Sequence, residues 1–278
     1  MNIDSHQHFW HYSPDTHGWI SDNMAVLKQS FLPPDLKEHL NQHELDGCIA
    51  VQASQSEQET EFLLELAAKY DFILGVVGWV DLQSEHLDER LAYFSQSKKL
   101  VGMRHVVQDE KDEDFLRRPE FIRGVRLLQQ YGLRYDLLIY EQQLPATLQF
   151  VKQLPQAYLV LDHIAKPKIA QREFSPWQEN IQSLATYPNV YCKVSGMVTE
   201  ARWQQWQPDD IFPYLDIVTE AFGTDRLMFG SDWPVCLLAA SYQEVVALIN
   251  QYFSTFSSHE KAKIYGENAT KFYQLSRS

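Results

Sequence analysis

The sequence predicts an α/β chain of eight strand–helix units and favours a (β/α)8 barrel in one domain over residues 1–278. Three observations lead there. Short Val-, Ile- and Leu-rich runs alternate with longer amphipathic stretches, the signature of parallel βαβ construction with strands buried on both faces. Eight such runs can be counted. The length of 278 residues lies near the ~250 typical of such barrels. An open doubly wound sheet shares the first feature, and counting alone leaves both architectures open.

The first strand is expected over residues 3–8, where Ile3 leads into His6, Gln7 and His8. "GCIAVQA" (47–53) is the second, followed by a helix over 55–70, and "FILGVVGWV" (72–80) is the third, followed by 84–97. "LVGMRHV" (100–106) is the fourth, with two polar helical pieces after it, around Asp112 and over 119–131. "LRYDLLI" (133–139) precedes a helix over 142–154. "YLVLDHI" (158–164), "VYCKVSG" (190–196) and "RLMFGSDW" (226–233) complete the strands, and helices over 241–252 and 259–273 follow. Residues 15–34 and 165–176 are expected as long loops, because prolines and turn formers interrupt them.

Composition excludes several classes. The formal charge of −13, from 37 acidic and 24 basic residues, argues against nucleic acid, whose binding needs a basic surface. Three cysteines without close spacing fit free thiols in a reducing compartment better than a disulfide framework. No leader pattern and no apolar run of membrane-spanning length is evident, so the expectation is a cytoplasmic protein without a membrane partner. No GxSxG elbow surrounds Ser195 or Ser231, and no P-loop or GxGxxG motif suggests a nucleotide. Quaternary state stays open, homo-oligomerisation included.

Polar residues collect at the expected strand ends. His6 and His8 finish strand one, Arg104 and His105 strand four, Asp162 and His163 strand six, and Lys193 and Ser195 strand seven; Asp136 lies in strand five and Asp232 follows strand eight. A barrel would bring these ends into one mouth, where barrel enzymes carry their chemistry. The two-residue strand period aims His6 and His8 the same way. A lone HxH is weak evidence for a metal or oxyanion site, since rim histidines also satisfy backbone groups. HxH followed by "LDH" and "GSDWP" is stronger. His163 is then the third imidazole, and Asp232 the general base that takes a proton from water. Arg104 offers a planar fork for a carboxylate or hydroxyl, and His105 a proton or an oxyanion contact. Lys166 and Trp19 sit in expected mouth loops, and with Arg104, His105 and Asp136 they make up the expected substrate-binding set.

Taken in order, "DSHQHFW", "GMRHVVQDE", "YDLLI", "LDHIAKP", "KVSGMVTEA" and "DRLMFGSDWP" resemble the amidohydrolase superfamily, and within it the branch of sugar-acid lactonases. The resemblance spans nearly the whole chain. It implies a TIM barrel of the metal-dependent hydrolase type, with His6, His8, His163 and Asp232 at the positions of that family's metal ligands. Where fully metal-dependent members carry a further lysine, glutamate or histidine, this chain has Arg104 or His105, and Asp136. Two arrangements therefore stay open: one divalent ion, zinc or manganese, or a site working without metal. The implied reaction opens a lactone such as L-fuconolactone, L-rhamnonolactone or L-galactonolactone, with Asp232, His105 and Arg104 as the catalytic set. The alternatives are a pyrone-dicarboxylate-type lactonase and a noncatalytic sugar-acid binding protein.

Overall fold

The structure, a computed structural model, describes residues 1–275; the last three positions of the expected 1–278 domain lie outside them. Its centre is one sheet whose strands neighbour one another in chain order. They are β1 (Ile3–Gln7), β2 (Gly47–Val51), β3 (Ile73–Gly78), β4 (Leu100–Val106), β5 (Arg134–Leu138), β6 (Leu159–Leu161), β7 (Val190–Val194) and β8 (Leu227–Phe229). All pair in parallel.

The ring closes through the segment after β8. Gln7 and Trp233 form a parallel bridge. The His8 N–H donates to Trp233 O at 2.7 Å, and the Asp232 N–H to His6 O at 2.8 Å. Barrel closure and the placement of Asp232 beside His6 are thus one set of hydrogen bonds. The barrel, rather than the open sheet, is the architecture.

A helix follows each strand: Pro33–Gln42, Glu57–Lys69, Leu87–Phe94, Pro119–Leu128, Leu144–Lys152, Trp177–Ala185, Pro208–Phe222 and Tyr242–Tyr252. Ser56 and Ser241 cap two of them, accepting from the backbone N–H three residues on, a standard stabilisation of helix starts. The helices after β1, β6 and β7 do not appear in the sequence reading. Each begins at or beside proline: Pro33 and Pro34, Pro176, and Pro208. Proline in a first turn loses no hydrogen bond there and starts a helix as readily as it marks a loop. The expected loop over 15–34 accordingly ends inside a helix.

An inner cluster that includes Ile3, Ile49, Val51, Val77, Val160, Tyr191 and Met228 fills the lower barrel, joined by Phe272 and Tyr273 from beyond the last strand. Ile3 and His6 both face inward despite their odd spacing, because β1 shifts register between Asp4 and Gln7. Such irregularities re-aim side chains beside functional sites.

The expected strands over 158–164 and 226–233 end early, at Leu161 and Phe229. After β6, His163, Ile164, Ala165 and Lys166 all take positive φ, 53°, 49°, 62° and 47°. Left-handed backbone costs L-residues about 1–2 kcal/mol each, so this turn must be held by its surroundings. One tie is Trp177, whose Nε1–H donates to Ile164 O at 2.8 Å. Trp177→Phe keeps the ring packing and removes that bond. It is expected to lower stability in urea unfolding by about 1–2 kcal/mol with the helical circular dichroism unchanged; an unaltered midpoint would show that other contacts hold the turn.

Candidate active site

At the C-terminal end of the barrel a cavity of about 600 Å³ is lined by His8, His163, Asp232, Arg104, Lys166 and Trp19 among others. Its floor is the histidine–aspartate cluster. The His8 Nδ1–H donates to Val51 O at 2.7 Å. Since a carbonyl only accepts, Nδ1 carries the proton there and the ring turns its Nε2 edge inward, 3.4 Å from Asp232 Oδ1. His163 Nδ1 meets Ser195 Oγ at 2.9 Å, and its Nε2 lies 3.8 Å from the same oxygen. His6 Nε2 lies 3.9 Å from it. The His6 and His8 ring centroids are 5.0 Å apart, and those of His6 and His163 4.4 Å.

Local backbone fixes this geometry. Asp232 itself has φ +57°, and Asp4 on β1 pins the turn before it. The Asp4 carboxylate accepts from Ser231 N–H (2.9 Å), Ser231 Oγ–H (2.6 Å) and Tyr242 O–H (3.0 Å). Gly196 has φ +66°, and a Cβ there would lie 2.5 Å from His163 Nδ1. Glycine is required at that position on both counts.

Behind His6 lies a closed network of charge. Lys193 Nζ contacts Asp136 Oδ2 (2.5 Å), Asp162 Oδ1 (3.1 Å) and His6 Nδ1 (3.1 Å). Arg104 Nη1 contacts Asp162 Oδ2 (3.0 Å) and His6 Nε2 (3.2 Å). Burial raises the Asp162 carboxyl, but Lys193, His6 and Arg104 outweigh it and hold Asp162 well below the usual carboxylate range. Burial pushes His6 and His163 well below the ordinary imidazole range, opposed by Asp162 and Asp232 respectively. For Asp232, burial acts upward, and His163, His8 and Lys166 more than offset it. The floor therefore presents His6 and His163 as neutral imidazoles beside an ionised Asp232 carboxylate. His8 Nε2 faces Asp232 Oδ1 at 3.4 Å, an arrangement completed by a shared proton or by a cation between them.

That donor set fits a divalent metal, with imidazole nitrogen and carboxylate oxygen as its usual partners. His6, His8 and Asp232 form one group able to hold an ion, and His6, Asp162 and His163 another. His6 is the constrained member, because Arg104 already engages its Nε2.

The expected substrate contacts fare unevenly. Lys166 and Trp19 line the cavity, and Trp19 is 38% exposed. Arg104 reaches the cavity edge, yet its remaining donors, Nε–H and Nη2–H, go to Gln52. No guanidinium N–H is left for a substrate, so the carboxylate-clamp expectation is corrected. His105 points away from the mouth, as strand alternation beside Arg104 demands. It stacks on Phe115 at 4.7 Å and bonds Glu110 at 2.7 Å, which corrects its expected catalytic and substrate roles. Asp136 is fully buried beneath the cavity, held by Lys193 and by Tyr273 O–H at 2.9 Å; it touches no cavity space. The expected set lacked Lys193 and Gln52, both inaccessible to solvent. A lysine inside the apolar run "VYCKVSG" was the available signal, since lysine is almost never fully buried unless paired.

A family model described as Amidohydrolase matches residues 3–275. The chain belongs to that family. It is 43% identical to an L-fucono-1,5-lactonase of Burkholderia multivorans over 99% of this chain and 96% of that one. It is 34% identical to an L-fucono-1,5-lactonase of Burkholderia ambifaria, over 100% and 97%. A crystal structure of a Burkholderia multivorans amidohydrolase with bound zinc superposes with a TM-score of 0.95 at 43% identity, covering 99% of this chain and all of that one.

Lys193→Met strands Asp136 and Asp162 without their shared ammonium. Breaking a buried pair in this way is expected to cost about 3–5 kcal/mol in urea unfolding. A loss under about 1 kcal/mol, the scale of an exposed pair, would mean that the network is not what holds this part of the barrel.

Proposed function

We propose that the chain hydrolyses a sugar-acid lactone, L-fucono-1,5-lactone foremost, to its hydroxy acid. The observation that carries this reading is the full-length identity to the Burkholderia multivorans lactonase, taken with the three imidazoles that converge on Asp232 in a cavity of small-ligand size. The dicarboxylate-lactone alternative would need spare cationic forks, and Arg104 has none. The noncatalytic alternative leaves unexplained a buried carboxylate ringed by three imidazoles.

In the reaction, Asp232 accepts a proton from the attacking water while water oxygen bonds to the lactone carbonyl carbon. The ring C–O bond then breaks, and Asp232 returns the proton to the ring oxygen as it leaves. His8 and His163 flank that carboxylate with their Nε2 edges, each ring fixed by its own Nδ1 contact. Arg104 and Lys193 keep His6 in register and act as positioning residues. A divalent cation held by His8, His163 and Asp232, with His6 joining them where Arg104 releases its Nε2, zinc by analogy with the bound neighbour, would polarise the carbonyl and lower the pKa of water. Three buried free cysteines, Cys48, Cys192 and Cys236, support a cytoplasmic setting. Among the described residues no helix is long and apolar enough to cross a membrane.

Asp232→Asn is expected to lower kcat/KM for L-fucono-1,5-lactone by about 10²–10⁴-fold in a pH-indicator assay, with the fold intact by circular dichroism. Unchanged turnover would remove Asp232 from the chemistry. Run over sugar-acid and dicarboxylate lactones, the same assay is expected to favour the former. Chelation is expected to abolish activity, and zinc or manganese to restore it. Full activity of metal-free protein would show that the residues act without an ion.

A further inference from the structure

Beside the histidine cluster, the loops after β5, β6 and β7 bring a second polar group to the cavity. Tyr140 follows β5, Lys166 ends the left-handed turn after β6, and Glu200 closes the short helix Met197–Glu200 after β7. All three line the cavity that holds Asp232, His8 and His163. The Lys166 ammonium lies over the Tyr140 ring, 5.4 Å from its centroid. Among the described residues, the Tyr140 hydroxyl, the Lys166 ammonium and the Glu200 carboxylate make no side-chain hydrogen bond or ion pair with one another or with a neighbour within 4 Å.

Half-buried charges left unpaired are costly unless something completes them. Burial raises the Glu200 carboxyl above its ordinary range; Lys166 opposes this and Asp232 adds to it. Tyr140 is raised by burial and then by Glu200 and Asp109. Glu200 thus senses Lys166 and Tyr140 across cavity space without a hydrogen bond to either. What fits between them is a group that both donates and accepts. A carboxylate only accepts, an ammonium only donates, and a phenol does both; adjacent hydroxyls of a ring satisfy all three. A second carboxylate on the ligand would instead meet Glu200 with like charge, which discriminates against dicarboxylates.

We propose that Glu200, with Tyr140 and Lys166, recognises the ring hydroxyls of the substrate and sets the preference for polyhydroxylated over hydroxyl-free lactones. This rests on the lactonase reading and assigns the part of the cavity wall contributed by the loops after β5, β6 and β7. Glu200 here determines specificity and takes no part in bond breaking.

The test compares L-fucono-1,5-lactone with δ-valerolactone, the same ring without hydroxyls, for the wild type, Glu200→Ala, Glu200→Gln and Tyr140→Phe. Rates are read as kcat/KM, or as competitive Ki against the sugar lactone where δ-valerolactone is not turned over. Losing a hydrogen bond to a charged group corresponds to about 10–100-fold, and Glu200→Ala is expected to lose that much on the sugar lactone alone. The value for δ-valerolactone is expected to stay unchanged. Glu200→Gln, which keeps an accepting oxygen, is expected to recover part of the loss, and Tyr140→Phe to show a smaller loss of the same selectivity. Equal losses on both lactones, or none on either, would overturn the assignment. A wild type inert toward every sugar lactone overturns the lactonase reading itself. An active wild type whose Glu200→Ala variant keeps its discrimination overturns only the role of Glu200.

Discussion

The constraint on which the upper barrel depends is the neutralisation of four ionic groups inside it. Asp136, Asp162, Arg104 and Lys193 have almost no access to solvent, and each would be prohibitive alone. Together they balance two negative charges against two positive ones, and the geometry closes: one lysine reaches both carboxylates, and one guanidinium reaches Asp162, His6 and Gln52. Such clusters add little net stability compared with an apolar core. Their value here is positional. His6 is held at both ring edges, its Nε2 by the Arg104 guanidinium and its Nδ1 by the Asp162 carboxylate at 3.3 Å with Lys193 alongside, and this fixes the wall against which His8, His163 and Asp232 converge.

The network also explains the unusual strand-four and strand-five residues. Arg104 pairs in register with Asp136 across β4 and β5, and both face the barrel axis. Two protein cations stand behind His6, bonded to buried carboxylates that would otherwise need positive charge from elsewhere. That arrangement suits a single ion on the open side of the cluster, between His8, His163 and Asp232. It gives no support to a second ion behind His6, where the Lys193 ammonium already lies 3.1 Å from the ring.

Much of this was legible in the sequence, for identifiable reasons. The strands were visible because apolar runs buried on both faces resemble nothing else at that length. His6 and His8 were readable as a pair because strand alternation survives at the end of β1. Three helices escaped because their prolines look like turns until the first helical turn is seen. The departures at His163 and Asp232 were invisible because positive φ at non-glycine residues leaves no mark on composition. His105 and Asp136 were misread from polarity alone. Which face a polar side chain takes, and whether a cation has already claimed it, depends on partners such as Phe115, Glu110, Lys193 and Tyr273 that come from elsewhere in the chain. Glu200 was missed because nothing in "MVTEA" separates a cavity carboxylate from a solvated one.

Tyr273 carries one more consequence. Its hydroxyl donates to both oxygens of Asp136, and Arg134 Nε–H on β5 donates to the backbone carbonyl of the preceding Phe272. This segment follows all eight strands, while β1, which it packs beneath, comes first. During synthesis on the ribosome the sheet can be complete while Asp136 still lacks its phenol and the barrel its floor. The site at one end of the barrel is therefore finished by chain that arrives late at the other, and a nascent protein holding every catalytic candidate would still be waiting for its last hydrogen bonds.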